Sequence, residues 1–167
     1  RSHIVVAVHV RAERAGAQIM LVPASGGSAR RAADCRFGDM PDLGWHPDGR
    51  HLIAGGIVAE KGGTGAIHTL DLATGRWTRL AYEKSDNDWD MMPAYSPDGR
   101  WIAFARNISL SDLWRMPAAG GKPERLTNLR TNIHGIAWTP DGNALVFGRY
   151  LDGGVRISQL DLSSRKV

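Results

Sequence analysis

Short apolar runs alternate with turn-forming residues along the whole chain, and the apolar positions never recur at helical spacing. Leu52-Ile53-Ala54, Trp101-Ile102-Ala103-Phe104-Ala105 and Ala144-Leu145-Val146-Phe147 are apolar at consecutive positions. They are too short for helices and rich in β-branched and aromatic residues, so they predict strands buried on both faces. Each follows a tight turn with an aromatic ahead of it: Trp45-His46-Pro47-Asp48-Gly49-Arg50, Tyr95-Ser96-Pro97-Asp98-Gly99-Arg100 and Trp138-Thr139-Pro140-Asp141-Gly142-Asn143. In that turn Pro presets its φ, Asp tolerates the second corner, and Gly releases the chain without a Cβ clash.

A third strand follows in each copy: Ile67–Asp71, Leu113–Pro117 and Val155–Asp161. Each ends in a small-residue turn, Ala73-Thr74-Gly75, Ala118-Ala119-Gly120-Gly121 and Ser163-Ser164. A shorter, more polar fourth strand closes two copies, over Arg76–Leu80 and Pro123–Thr127. An earlier copy lacks Pro-Asp-Gly but supplies a second strand at Ile4–Val8 and a third at Ile19–Pro23. Aligned at Ile19, Ile67, Leu113 and Ile157, the third strands lie 48, 46 and 44 residues apart, so one register runs through the chain. A repeat of that length is one supersecondary unit stacked on its neighbours.

A four-stranded sheet that is apolar on both faces cannot stand alone. Radial stacking buries both faces and leaves short edges, which predicts an all-β fold: a β-propeller of four-stranded antiparallel blades. An eight-stranded sandwich would not require one turn to recur in register. The single segment 1–167 divides into repeats at about 1–40 (partial), 41–88, 89–132 and 133–167 (partial). The first copy lacks its inner strand and the last stops where its fourth should begin. These deficits fall in different copies, so the expectation is about four blades' worth of a larger ring. A closed four-bladed monomer and a homo-oligomer of two chains sharing one ring are the alternatives.

Composition narrows the function classes. With 167 residues, 43% of them hydrophobic, the chain can bury a sizeable core. Twenty Gly and eight Pro suit a chain that turns every few residues, and the single Cys35 leaves no internal disulfide. No apolar run is long enough to span a membrane and no signal peptide is visible. The net charge of +4 is scattered; its densest spot, Arg30-Arg31 with Arg36, lacks interleaved aromatics. Solvated strand edges account for it, and direct nucleic acid contact is not expected.

Chemistry is sparse. There is no Gly-x-Ser-x-Gly nucleophile elbow, so no catalytic residue is assigned. No Cys/His spacing of a zinc site occurs, and no metal or cofactor is assigned. His46 takes the turn position held by Ser96 and Thr139, while His51, His68 and His134 lie in or beside strands. Gly62-Gly63-Thr64-Gly65 joins two strands, which makes a hairpin loop rather than a phosphate loop, and its length makes it a candidate for partner contact. The most distinctive polar stretch is Ser85-Asp86-Asn87-Asp88-Trp89-Asp90. The alternating Asp86, Asp88 and Asp90 are read as an acidic inter-blade loop. They resemble the first half of a calcium loop, without the Gly and distal Glu of an EF-hand. A protein-contact patch anchored by Trp89 is a third reading. The recurring Asp48, Asp98 and Asp141 are turn formers, and Trp45, Tyr95 and Trp138 are inter-blade packing residues.

The cadence aromatic-x-Pro-Asp-Gly-Arg, then Ile-Ala-Phe, then Asp112-Leu113-Trp114-Arg115-Met116-Pro117-Ala118-Ala119-Gly120-Gly121-Lys122-Pro123-Glu124-Arg125-Leu126-Thr127, resembles the TolB-like, WD40-like (PD40) propeller repeat. The clearest copy is Pro93 to Thr127, and the resemblance covers nearly all of the chain. Such repeats occur in partner-binding periplasmic propellers of the Tol-Pal system, in propellers that gate prolyl-oligopeptidase-type serine peptidases, and in sensory regions of membrane-anchored winged-helix (CadC-like) transcriptional regulators. The stretch Leu113–Gly121 with Ile136–Gly142 is most similar to the third class. The resemblance implies a non-catalytic periplasmic module that binds a protein partner or small ligand at its channel-end loops and biases a DNA-binding domain elsewhere in its protein. The peptidase gate and the free TolB-like binding protein are the alternatives.

Overall fold

The computed structural model describes residues 3–10, 16–35, 42–57 and 64–167, in four antiparallel sheets. The first holds β1 (His3–Val10), β2 (Gly16–Pro23) and β3 (Arg30–Cys35). The second holds β4 (Asp42–Trp45), β5 (His51–Ile57), β6 (Ala66–Asp71) and β7 (Arg76–Arg79). The third holds β8 (Asp90–Tyr95), β9 (Trp101–Arg106), β10 (Asp112–Pro117) and β11 (Glu124–Arg125). The fourth holds β12 (Ile133–Trp138), β13 (Ala144–Leu151) and β14 (Gly154–Asp161). Within each sheet, spatial order follows chain order. The fold is thus all-β, with the expected antiparallel strands. Among the described residues no helix is long and apolar enough to cross a membrane. Arg36 and the Gly62-Gly63 part of the predicted hairpin loop lie outside the described residues.

The consecutive apolar positions divide between two faces, as a strand period of two requires. Leu52 and Leu70 pack with Ile19 and Ala33 between the first and second sheets. Their neighbours Ile53 and Ile67 pack with Ile102, Phe104 and Met116 between the second and third. Ala103 and Ala105 turn the other way, toward Ile133, Leu145, Phe147 and Leu160 between the third and fourth. Among the described residues the core therefore forms three layers, each shared by consecutive sheets. The pre-turn aromatics pack in the same layers: Trp138 donates its indole N–H to the Ala94 carbonyl at 2.9 Å, and Tyr95 meets His46 edge-on with ring centroids 4.5 Å apart.

Three details depart from the sequence reading. β3 is an edge strand where the sequence shows only a basic cluster, and Arg31 pairs with Asp34 along it. β11 is shorter than the predicted Pro123–Thr127, since Pro123 has no N–H to give the ladder; past its end Leu126 still donates to the Leu113 carbonyl at 2.8 Å. The inner strands β8 and β12 each carry a bulge, between Met91 and Ala94 and between His134 and Ile136.

Candidate partner-binding surface

Up-and-down strand order puts the Pro-Asp-Gly turns and the turns after third strands at one end of every sheet. The loops between second and third strands, and the connections to the next sheet, lie at the other, called the loop end below. The connection from β7 to β8 carries the acidic stretch singled out in the sequence.

Asp90 opens β8 and is fully buried. Directly across the ladder stands Arg106, the last residue of β9, 8% exposed. The pair is bidentate: Arg106 donates from Nε to Asp90 Oδ1 at 2.7 Å and from Nη2 to Oδ2 at 3.1 Å. Arg106 also approaches Asp88 Oδ2 at 3.2 Å, and its guanidinium lies 4.7 Å from the Trp114 ring and 5.5 Å from the Phe104 ring. Tyr82 donates its hydroxyl proton to Asp90 Oδ2 at 2.7 Å and accepts the Ile67 N–H at 3.2 Å. Burial works against the arginine's charge, but the bond to Asp90 and the charges of Asp90 and Asp88 outweigh it, leaving Arg106 above its ordinary range. Burial and the negative Asp90 push the Tyr82 hydroxyl well up, so it remains a proton donor. Burial holds Lys84 below the usual lysine range, although Asp90 and Asp88 oppose the shift. Lys84 donates to Thr64 Oγ1 at 2.5 Å and to the Asp88 carbonyl.

This network anchors a compact turn. The Asp88 N–H donates to the Ser85 carbonyl at 3.1 Å, and Asp88 Oδ2 accepts the Ser85 N–H at 2.9 Å. Trp89 is half-buried against Gly65, where a Cβ would sit 2.7 Å from the indole; only glycine lets the ring lie there. The Trp89 carbonyl accepts the Asn107 N–H at 2.7 Å, which ties the connection to the loop between β9 and β10. That loop presents Ile108 and Leu110, 53% and 55% exposed, and Ser111 holds its base by donating to the Asn107 and Ile108 carbonyls.

Of the four residues singled out in the sequence, Asp88 and Asp90 come together on Arg106. Trp89 docks beside them, and Asp86 stands exposed on the outside of the turn. Sequence reasoning missed Arg106, Tyr82, Lys84, Ile108 and Leu110. The available signal was an arginine closing an apolar strand, repeated 43 residues on as Arg149, which donates to Ser158 Oγ at 2.8 Å.

No family model matches this chain. An uncharacterized protein of Agrobacterium fabrum is 29% identical over 172 residues, covering 96% of this chain and 55% of that protein. The Tol-Pal system protein TolB of Francisella tularensis subsp. mediasiatica is 37% identical over 68 residues, 41% of this chain and 14% of that protein. Among solved structures, TolB from Acinetobacter baumannii matches 99% of this chain at TM-score 0.78 and 21% identity, over 40% of its own length. The putative TolB from Agrobacterium tumefaciens matches 96% at TM-score 0.70 and 26% identity, over 58% of its length. A puromycin hydrolase matches 90% at TM-score 0.64 and 16% identity, over 24% of its length. The chain thus has a TolB-like β-propeller fold, and it spans 55% and 58% of the two Agrobacterium proteins and less of the others named.

Proposed function

We propose that this chain is a non-catalytic binding segment of a β-propeller, one domain over 1–167, that takes a protein partner at its loop end. The carrying observation is the buried Asp90–Arg106 pair beneath a turn that exposes Asp86 and that the Trp89–Asn107 backbone bond ties to the loop presenting Ile108 and Leu110. Large apolar side chains beside fixed polar groups, on a loop that a rigid scaffold positions, suit protein recognition. Asp86, Asp88 and Trp89 would supply the polar rim and the anchor, and Asp90 the support beneath them. The chemistry at the centre of this surface is already engaged: Arg106, Tyr82 and Lys84 are each paired within the chain.

The TolB names among the similar proteins favour action in the periplasm, as a partner-binding propeller. The stretch Leu113–Gly121 supports a narrower use, as the sensory part of a membrane-anchored transcriptional regulator. A photo-cross-linking residue at Ile108 tests the surface, with Thr74 at the opposite end as comparison. The expected result is a discrete adduct in cells from position 108 and none from 74. Equal labelling from both would remove the loop end as the contact, and hydrolysis of peptides by the purified chain would overturn the non-catalytic reading.

A further inference from the structure

At the opposite end from the proposed partner surface, the three Pro-Asp-Gly turns are not chemically alike. In the third sheet Ser96 Oγ donates to Asp98 Oδ1 at 2.5 Å and accepts the Trp101 N–H at 2.9 Å. In the fourth, Thr139 Oγ1 donates to Asp141 Oδ1 at 2.5 Å and accepts the Ala144 N–H at 3.0 Å. The second sheet keeps the turn but puts His46 in the hydroxyl's place and adds His51 where the others have Trp101 and Ala144. Asp48 then lies between two imidazoles, with Oδ1 3.1 Å from His46 Nδ1 and Oδ2 2.6 Å from His51 Nδ1. One donor atom from each of the three residues falls within a 4.8 Å cluster, half-buried to exposed.

Hydrogen bonds hold the three side chains together. His46 Nδ1 accepts the Asp48 N–H at 3.1 Å, so it carries a lone pair, and the same nitrogen cannot also donate to Asp48 Oδ1. A cation here would compete with one amide proton for His46 Nδ1 and would replace the proton shared between His51 Nδ1 and Asp48 Oδ2 at 2.6 Å. The backbone N–H groups of Arg50 and His51 both donate to Asp48 Oδ1, at 2.7 and 3.1 Å, and fix the carboxylate. Asp71, across the ladder from His51, adds negative charge. The His46 ring is held edge-on to Tyr95 of the next sheet.

We propose that His46, Asp48 and His51 form a binding site for a divalent transition-metal ion. Two imidazoles and a carboxylate suit zinc, nickel or copper rather than calcium or magnesium, and the exposed side leaves room for water ligands. The bound ion would take the His46 lone pair from the Asp48 amide. It would also join the second sheet's turn to a ring that packs on the third sheet, so binding would stabilise the fold.

Zinc chloride titrated into the purified chain, followed by calorimetry and thermal unfolding, tests this. Saturable binding with a raised unfolding temperature is expected. His46→Ser installs the residue that the third sheet already uses in this turn, so the fold should survive. Both His46→Ser and His51→Ala should weaken zinc by at least about tenfold, as losing a direct ligand should cost no less than losing a supporting one. His134→Ala, an exposed histidine in the fourth sheet, should bind as the unaltered chain does. Absence of saturable binding, or binding that neither substitution at 46 or 51 weakens, would overturn the proposal. Should a variant not fold, copper-induced broadening of the imidazole resonances in the unaltered chain decides: loss of the His46 and His51 signals first supports the site, and uniform broadening rejects it.

Discussion

Asp90 and Arg106 occupy positions where these strands otherwise bury apolar side chains. A buried ion pair adds little over well-packed hydrophobic residues, but leaving one partner alone is costly. Arg106→Leu should therefore destabilise the chain by about 3–5 kcal/mol, measured by urea unfolding. Combining it with Asp90→Leu should recover much of that loss; a double variant as unstable as the single one would refute this account of the pair. The turn aspartates act differently, because they are exposed and bonded to their own turns. Hydroxyl and backbone donors hold Asp98 and Asp141 below the ordinary carboxylate range, and the Ser163 and Ser164 groups bring Asp161 from 3.8 to about 2. A pKa lowered on folding gives stability that is complete above the unfolded value and lost as pH falls through the folded one. Acid titration should show stability flat above about pH 5 and declining from near pH 4 toward pH 2, and Asp161→Asn should flatten part of that decline.

At the scale of elements, the inner strands show what local geometry asks of a residue. Both bulges place one residue in the left-handed region: Met92 at φ 53° and Gly135 at φ 63°. Open space surrounds the Cβ position of Gly135, so Gly135→Ala should cost only backbone strain, about 1–2 kcal/mol, measurable by chemical denaturation. A change near zero would mean the bulge relaxes. The bulges were not legible in the sequence, since Met92 carries no turn signal. The hairpins were, because Pro-Asp-Gly states its own geometry and Ile102-Ala103-Phe104 can only be a strand buried on both faces. β3 escaped notice because Arg30-Arg31 reads as charge before it reads as an edge strand. The acidic stretch was visible as Asp86 to Asp90, but its buried partner Arg106 lies across a strand pairing that spacing does not reveal. His46, Asp48 and His51 converge only once the turn has closed, although all three were visible along the chain.

For the whole molecule, the layered core sets where substitutions matter. Phe104 is fully buried between the second and third sheets, and Phe104→Ala should cost about 3–5 kcal/mol. The outward face of the fourth sheet carries Tyr150, Val155 and Ile157, which are 52%, 51% and 78% exposed. Ile157→Lys should change stability by no more than about 0.5 kcal/mol; a larger loss in the same denaturation experiment would mean that the face is covered in solution. The three-layer arrangement also governs how the molecule comes apart. Amides of the second and third sheets lie between two layers, so they trade their protons with solvent only when packing opens on both sides. Those of β14 are held by one. Deuterium uptake should therefore begin at β14 and reach β5 and β9 last, a gradient of opening along the stack in place of a single all-or-none event.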